Sequence, residues 1–598
     1  MCAIAGVFHG EDFVWGGKEL APVITCMAHR GPDGIFIKEL KRITLAHARL
    51  VITDPSEKAN QPFFDETGRF ALVFNGAIYN YQELRSNLIK KGKRFITTSD
   101  TEVFVQLFAE YGTACFGMME GMFAAAIWDS LTQKLVLVRD RFGEKPLYYR
   151  KSNGRFYFAS ESEALTKVDK MPEINLAGLN HLLAIGYILN PDSIYKDVYS
   201  LAPACYIEIA EATQTINQVY YWDYKSFFEN KTAASDNDII EQFGYLLRNA
   251  TAKCVKTNVP TGMFLSGGVD SASVLALAVN ANVRLKAYTV FFEAAKYSEH
   301  EKAKRNAKYM GTEHVLAMFA EDEIKNRANE FINLLPCPIS DNSFLALYKL
   351  ALLAKKDCRV IITGDGADEL MAGYSTAKAN KIYPAFSALP TFIKKFLSVH
   401  AVLPDSKQAL SAGFIQKQFF AGCLYNYRQA HYSWRLLHNP EQRVTLLGLK
   451  NKELVYDTDP FKKFDKIFSE CAHLEKNDQF LIVDAQTWLT DNILIKTDRA
   501  LMLNGLEART PFLNHTLAEF LATLPFKWKL KGFNEKYILR TLMKNYLPEE
   551  ILNTPKKGFN LPDFLQHPAQ NQFRYYNEWF VKNYKQGLLS SCLNIAHV

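Results

Sequence analysis

The 598-residue sequence lacks several patterns that mark other protein classes. Its ten cysteines form no Cys-x-x-Cys pair and no His-Glu-x-x-His string occurs, so neither a disulfide framework nor a protein-bound zinc is expected. No predominantly apolar run of about 18 residues is present, so no membrane-spanning helix is predicted. The N-terminal residues do not resemble a secretion signal. Together these absences predict a cytoplasmic protein with reduced thiols.

The sequence carries only a small excess of positive charge. The net charge is +7 from 70 basic and 63 acidic residues, and no long basic run is interleaved with aromatic residues. Neither nucleic acid nor a membrane is therefore an expected partner. Hydrophobic residues make up 48% and charged residues 22%, as in ordinary globular proteins. The length alone predicts two to four domains.

The pattern of the chain changes near residue 236. Short alternating or apolar segments come first, among them "FALVFNGAIY" and "MFAAAIWD", with turn residues between them. Strands such as "TGMFLS", "KAYTVFF" and "RVIIT" then alternate with helical segments, which predicts a parallel, doubly wound α/β sheet. A helical extension follows from about residue 376. The predicted domains are 2–210 and 237–565, with a linker at 211–236, least patterned from Trp222 to Ser235, and a tail at 566–598.

The first residues, "MCAIAGVF", place a cysteine directly after the initiator methionine. The thiol could simply be a buried side chain of a first strand, since free cysteine behaves as a small hydrophobe. Removal of Met1 would instead make Cys2 the first residue, with a thiol and an α-amine on one skeleton. The amine can then act as the base for the thiol, which is an N-terminal nucleophile arrangement. We expect the mature chain to begin at Cys2.

The strongest local motif is "FLSGGVDS" at residues 264–271. An apolar strand runs into Ser266, Gly267 and Gly268, and a helix follows, so free N–H groups at the helix start can bind an anion. Asp270 would repel a bare phosphate but fits when Mg²⁺ lies between carboxylate and phosphate. The alternative is a tight strand-to-helix turn in which Ser and Asp cap the helix.

The SGGVDS string is similar to the pyrophosphate loop of the ATP pyrophosphatase fold. Together with "MCAIAGVF", it makes the chain resemble the glutamine-hydrolysing asparagine synthetase family over about residues 2–565. The resemblance implies an N-terminal class II glutaminase, an αββα sandwich of the N-terminal-nucleophile hydrolase type. It also implies a C-terminal synthetase domain like the adenine nucleotide α-hydrolases, which uses ATP and Mg²⁺. The strings that carry it are "HRGPDG" (29–34), "HARL" (47–50), "NQPF" (60–63), "FNGAIYN" (74–80), "SDTEV" (99–103), "RDRFGEKPLYY" (139–149), "TGDGADELMAGY" (363–374), "KTDRALMLNGLEARTPFLN" (496–514) and "EKYILR" (535–540).

In the glutaminase half the resemblance assigns one residue to each part of glutamine. Arg49 offers a planar fork to the carboxylate and Asp100 a counter-charge to the ammonium. Asn75 and the backbone N–H of Gly76 would stabilise the oxyanion after Cys2 attacks. Each residue also has a plain structural reading: a surface salt bridge for Arg49, a hairpin turn for Asn75-Gly76, and a helix cap for Asp100.

In the synthetase half the resemblance implies that Asp365 takes an acidic catalytic position and that Asp368 completes Mg²⁺ coordination with Asp270. Lys536 matches the lysine that neutralises the phosphates as the acyl-adenylate forms. The alternatives are a glycine-rich acidic turn without a ligand and a surface lysine. The predicted ATP-binding residues are Leu265, Ser266, Gly267, Gly268, Asp270, Ser271, Val290, Gly364, Asp365 and Gly366.

The resemblance weakens near the predicted acceptor site. Val315 stands where a second histidine is common, Phe291 where a glycine is common, and Ser340-Asp341-Asn342 matches only loosely. L-Aspartate is the first expected acceptor, because a complete glutaminase site means that ammonia is wanted. The alternatives are a different carboxylate, such as a sugar acid or a secondary-metabolite acid, or a non-catalytic regulatory homologue. The family implies a homodimer.

Overall fold

A computed structural model describes residues 2–9, 17–210, 216–292, 299–320, 322–323, 338–341, 343–400, 402–403, 411–448 and 452–553. The predicted tail at 566–598 lies outside these residues. Across the described ranges no helix has the length and apolar character needed to cross a membrane. The eight cysteines within them are free thiols.

The N-terminal half is a sandwich of two six-stranded antiparallel sheets. Strand β1 shows why, because successive side chains of a strand point to opposite faces. Ile4 and Phe8 pack between the sheets, whereas Ala3, Ala5 and Val7 pack against outer helices. The first sheet has the order β10-β8-β9-β1-β3-β2 and the second β12-β11-β7-β6-β5-β4. The strands are β1 Ala3–Phe8, β2 Gly34–Glu39, β3 Ile43–Arg49, β4 Phe63–Phe64, β5 Phe70–Ile78, β6 Gly121–Asp129, β7 Lys134–Arg139, β8 Tyr148–Ser152, β9 Arg155–Ala159, β10 Val198–Ser200, β11 Cys205–Ile209 and β12 Gln218–Tyr220.

Helices cover the outer face of each sheet, so the predicted αββα sandwich is confirmed. Helices Gly17–Thr25 and Leu176–Ile185 pack on the first sheet, and helices Tyr81–Lys90 and Asp100–Tyr111 pack on the second. A short helix, Cys115–Met118, precedes β6. The segment 211–236, predicted as the linker, includes strand β12, which pairs with β11 of the second sheet.

The C-terminal half contains a five-stranded parallel sheet with the order β15-β14-β13-β16-β17, which confirms the predicted doubly wound sheet. The β13, β14 and β16 segments are largely apolar because helices cover both faces. The strands are β13 Thr261–Phe264, β14 Lys286–Phe291, β15 His314–Met318, β16 Val360–Ile362 and β17 Glu507–Arg509. Its helices are Asp236–Val255, Val269–Asn280, His300–Tyr309 and Ser343–Ala354.

A helical extension follows β16, as the sequence predicts, and β17 lies within it. Its helices are Ala367–Leu370, Ser375–Ser387, Thr391–Val399, Ala412–Gly422, Tyr427–Ser433, Pro440–Leu447, Glu453–Asp457, Phe461–Glu470, Lys476–Asp484, Ile495–Met502, His515–Thr523, Tyr537–Met543 and Glu549–Leu552. A π-helix, Ala485–Leu494, joins two of them, and strands β18 Leu530–Lys531 and β19 Asn534–Glu535 form a small ladder. The wide turns of π-helices are frequent at functional sites.

Candidate functional site

Four of the residues that are predicted from the sequence to act on glutamine border one cavity. Cys2, Arg49, Gly76 and Asp100 line a space of about 50 Å³, here called the Cys2 pocket. Arg49 ends β3, Gly76 lies in β5, and Asp100 begins helix Asp100–Tyr111. The pocket therefore gathers residues from both sheets of the sandwich.

Cys2 is buried and held by its backbone. Its nitrogen donates to Asn75 Oδ1 at 3.0 Å, and its carbonyl oxygen accepts from Arg30 Nε at 3.3 Å. Burial raises the pKa of the Cys2 thiol. The thiol is therefore neutral at rest, and a base must take its proton before it can attack a carbonyl carbon.

Asn75 and Gly76 lie within strand β5, not in a hairpin turn, so that structural reading is wrong. Asn75 is fully buried, and its Nδ2 has no hydrogen-bond partner among the described residues. A buried donor without a partner costs about 1–3 kcal/mol, which a ligand oxygen can recover. A Cβ at Gly76 would lie 2.1 Å from the carbonyl oxygen of Met122, so only glycine fits beside Asn75.

Arg49 and Asp100 supply opposite charges at the pocket. The Arg49 guanidinium donates to the carbonyl oxygens of Ser56 at 3.0 Å and Asp54 at 2.5 Å, and to the Asn60 side chain. Within the described ranges no carboxylate pairs with it, so the surface salt bridge is not found. Burial raises the pKa of Asp100 to about 6, although its carboxylate accepts a hydrogen bond from Ile78 N.

Three other residues of the Cys2 pocket are not among those predicted from the sequence. Glu507 and Arg509 reach it from β17 of the other half, where their side chains pair at 2.7 Å. Their spacing of two residues could have indicated that both side chains point the same way, because alternate residues of a strand share a face. His47 is buried, neither ring nitrogen has a partner among the described residues, and burial lowers its pKa to about 3.

The second predicted site is a cleft of about 560 Å³, here called the synthetase cleft, at the carboxyl ends of the parallel strands. All ten residues predicted to bind ATP border it, as do Asp368 and Lys536. The SGGVDS loop is closed by hydrogen bonds between hydroxyl groups, with Ser266 Oγ and Ser271 Oγ 2.9 Å apart. Ser266 Oγ also accepts from Gly268 N at 3.2 Å, so the loop turns sharply into helix Val269–Asn280.

Lys536 lies between the two carboxylates predicted to hold magnesium. Its Nζ is 2.5 Å from Asp270 Oδ2 and 2.6 Å from Asp368 Oδ1. Only 2% of Lys536 is exposed, so the surface-lysine reading is wrong. The two aspartates raise the pKa of Lys536 despite its burial. A Cβ on Gly373 would lie 1.9 Å from Asp368 Oδ1, so a glycine leaves room for this cluster.

Asp365 is held by two threonine hydroxyls, Thr363 Oγ1 at 3.0 Å and Thr497 Oγ1 at 2.9 Å. Burial raises its pKa. Nearby, the Tyr374 hydroxyl donates to Glu369 at 2.5 Å. The acidic loop is therefore an ordered part of the cleft wall.

Asp270 and Asp368 fit a magnesium ion that arrives with a nucleotide. In the part of the chain that is described, no group of three His, Cys, Asp or Glu side chains can hold a metal alone. Mg²⁺ commonly uses one or two carboxylates and completes its shell with substrate phosphates and water. Two converging carboxylates beside a phosphate-binding loop match that donor set.

The positions that depart from the family pattern lie at different distances from the cleft. Ser340 and Asp341 border it, and Asp341 pairs with Lys496 at 2.6 Å. Asn342 lies outside the described residues. Phe291 does not border the cleft but packs on the His300 ring, and the neighbouring Phe292 borders it instead.

Buried ion pairs join the two halves between the sites. Arg30, which donates to the Cys2 carbonyl, also donates to Asp498 at 2.9 and 3.2 Å and to Glu161 at 3.0 Å. Asp498 follows Thr497, which donates to Asp365. One short segment thus contacts the acidic loop of the cleft directly and the Cys2 backbone through Arg30.

Comparisons with known proteins match one family model to each half of the chain. A family model for a glutamine amidotransferase domain matches residues 1–222, and one for asparagine synthase matches residues 242–591. Asparagine synthetase [glutamine-hydrolyzing] 1 of Bacillus subtilis is 30% identical over 98% of this chain and 89% of its own length. Amidase chyE of Penicillium rubens is 28% identical over 91% of this chain and 84% of its own length.

Similarity to solved structures is weak. A glutamine phosphoribosylpyrophosphate amidotransferase from B. subtilis is 14% identical and covers 63% of this chain and 77% of its own, with a TM-score of 0.29. The two family models and the near full-length relatives are decisive: the chain belongs to the glutamine-hydrolysing asparagine synthetase family of ligases, with a glutamine amidotransferase domain joined to an asparagine synthase domain.

Proposed function

We propose that the chain transfers the amide nitrogen of glutamine to a carboxylate that it first adenylates with ATP. The observation that carries this proposal is the Cys2 pocket, where a buried thiol, a guanidinium and a carboxylate border one small space, and where Asn75, which accepts from the Cys2 nitrogen, has a partnerless amide donor. These four groups complement the amide, the developing oxyanion, the carboxylate and the ammonium of glutamine. The proposed units are 2–210 for the glutaminase and 237–565 for the synthetase.

In the glutaminase half, removal of Met1 turns the Cys2 nitrogen into an α-amine that takes the thiol proton. The sulfur then attacks the glutamine amide carbon. Asn75 Nδ2 and the Gly76 N–H receive the resulting oxyanion, and each such donor is worth about 3 kcal/mol. Ammonia leaves with the proton held by the amine, and water hydrolyses the glutamyl thioester to glutamate.

In the synthetase half, an acceptor carboxylate attacks the α-phosphorus of ATP and pyrophosphate leaves. Lys536 neutralises charge on the phosphates, and the SGGVDS loop positions them. Magnesium held by Asp270 and Asp368 would supply further charge stabilisation when bound with the nucleotide. Ammonia then attacks the acyl carbon, the nitrogen loses a proton for which Asp365 is the nearby acceptor, and AMP departs.

The family leaves two candidates for the acceptor. L-Aspartate is the first, because relatives such as the B. subtilis protein are named asparagine synthetases. A different carboxylate is the second, favoured by a relative named an amidase and by the apolar side chains along much of the cleft wall. A cytoplasmic homodimer is proposed on the family resemblance alone.

The test compares wild type with Cys2→Ala in assays of glutamate and pyrophosphate, supplied with ATP, Mg²⁺, carboxylate acceptors and either glutamine or ammonium. We expect Cys2→Ala to lose glutamate formation and to retain ammonia-dependent pyrophosphate release. Cys26→Ala is the matched control, since Cys26 does not border the pocket. Glutamate formation at the wild-type rate by Cys2→Ala would refute the proposed nucleophile.

A further inference from the structure

A large part of the synthetase cleft is apolar and lies outside the nucleotide loops. Its side chains come from the segment after helix Leu176–Ile185, from residues 434–437 and from the π-helix Ala485–Leu494. They include Tyr187, Trp434, Leu436, Leu437, Trp488 and Ile493. None of these residues belongs to the strand ends or loops that the sequence predicts to bind ATP.

This apolar wall is fixed in position by its own contacts. Trp488 Nε1 donates to the Tyr374 hydroxyl at 3.0 Å, and the Tyr187 and Trp488 rings meet edge to face with centroids 5.6 Å apart. The backbone of Leu437 donates to Ala184 O at 2.7 Å. The wall is therefore preformed, as apolar ligand sites usually are.

The basic side chains of the cleft are already paired. Among the described residues that border it, all four basic groups contact carboxylates of the protein: Lys496 with Asp341, Arg435 with Asp484, Lys536 with Asp270 and Asp368, and Arg540 with Glu535. Six carboxylates border the same cleft, namely Asp270, Glu299, Asp341, Asp365, Asp368 and Glu369. A second carboxylate on the acceptor would thus be desolvated without a cation of its own, which is costly.

One polar side chain of the cleft is left without a partner. Asn492 lies in the π-helix, is 1% exposed and borders the cleft. Neither its Oδ1 nor its Nδ2 has a hydrogen-bond partner among the described residues. A carboxamide offers both a donor and an acceptor, so it matches a neutral amide or hydroxyl group on a ligand.

We propose that the acceptor is a monocarboxylic acid with an aromatic or branched apolar body, and that Asn492 recognises a neutral hydrogen-bonding group on that body. The inference rests on the proposed function and names its substrate class. It also predicts that aspartate is a poor acceptor, because its second carboxylate finds an apolar wall and no spare cation.

The first experiment measures acceptor-dependent pyrophosphate release with ATP, Mg²⁺ and glutamine. The acids are hippurate, which carries a phenyl ring and an amide, 3-phenylpropanoate, which has no amide, and the charged comparators L-aspartate and succinate. We expect kcat/KM for hippurate to exceed that for aspartate at least about tenfold, the discrimination that an unpaired polar or charged group commonly produces. Aspartate turning over as well as hippurate or better would overturn the inference.

The second experiment uses Asn492→Leu, which keeps the side-chain size. Loss of the carboxamide should lower kcat/KM for hippurate about tenfold or more and leave the value for 3-phenylpropanoate unchanged. Asn504→Leu is the control, since Asn504 does not border the cleft. Glutamate formation at the Cys2 pocket reports folding. An equal loss for both acids would show that Asn492 only supports the structure. Pyrophosphate release at the same rate when no acid is added would instead refute the proposed function itself, because the release would not depend on an acceptor.

Discussion

Replacing Asn75 by alanine isolates the electrostatic part of glutamine hydrolysis. The side chain is fully buried, and its Nδ2 is unused by the described residues. Alanine removes this donor from the oxyanion and also removes the acceptor that holds the Cys2 nitrogen at 3.0 Å. A donor aimed at an oxyanion is worth about 3 kcal/mol, which corresponds to a fall of about 150-fold in kcat.

The assay is steady-state glutamate formation by Asn75→Ala, run beside ammonia-dependent pyrophosphate release. We expect kcat for glutamine to fall by about two orders of magnitude while KM changes little, because the ground-state carbonyl gains less from the donor than the oxyanion does. The ammonia-dependent reaction should be unaffected. Asn80→Ala is the matched control, since Asn80 is buried in the same half but bonds to the backbone of Met118 and Glu120, whereas Asn75 bonds to Cys2. A fall of less than tenfold, or a parallel loss of the ammonia-dependent reaction, would refute the reasoning.

The remaining predictions concern charge. Asp270→Asn and Asp368→Asn should each lower pyrophosphate release on the order of 10²-fold while glutamate formation continues, since the charge stabilisation of a metal site is worth several kcal/mol; unchanged pyrophosphate release would place the nucleotide elsewhere. Arg49→Ala should raise KM for glutamine about 10- to 150-fold, the value of a charge-assisted hydrogen bond, while Arg69→Ala should not; an unchanged KM would make Arg49 structural. Because the pKa of Asp100 is raised to about 6, its carboxylate is protonated below that pH, and kcat/KM for glutamine should fall about tenfold per unit there. Asp100→Asn should lack this acidic limb, and a pH profile identical to wild type would exclude Asp100 as the titrating group.

The sequence predicts the fold well because its signals are local. The alternation of Ala3, Ile4, Ala5 and Val7 describes a two-faced strand, and the apolar run before Ser266 describes a buried strand that ends at a loop. The ends of the apolar runs therefore predict where the SGGVDS loop and the acidic loop at Asp365 begin. In the structure both loops follow parallel strands and border the synthetase cleft.

Other site residues depend on contacts between distant segments. Glu507 and Arg509 meet the Cys2 pocket only because β17, an edge strand of the five-stranded parallel sheet, lies beside the N-terminal half. Lys536 reads as an ordinary surface lysine until the fold buries it against Asp270, 266 positions away in the chain. Asn492 lies in a π-helix, whose turn width follows from packing and has no sequence signal of its own.

Transfer of labelled nitrogen tests the central claim most directly, that the Cys2 pocket supplies the nitrogen used in the synthetase cleft. The reaction contains [amide-¹⁵N]glutamine, ATP, Mg²⁺, an acceptor that supports pyrophosphate release, and an excess of unlabelled ammonium, and mass spectrometry reads the amide product. The account predicts that most of the product carries ¹⁵N and that the product of Cys2→Ala carries none. A wild-type product labelled only in the proportion set by mixing with free ammonium would contradict it.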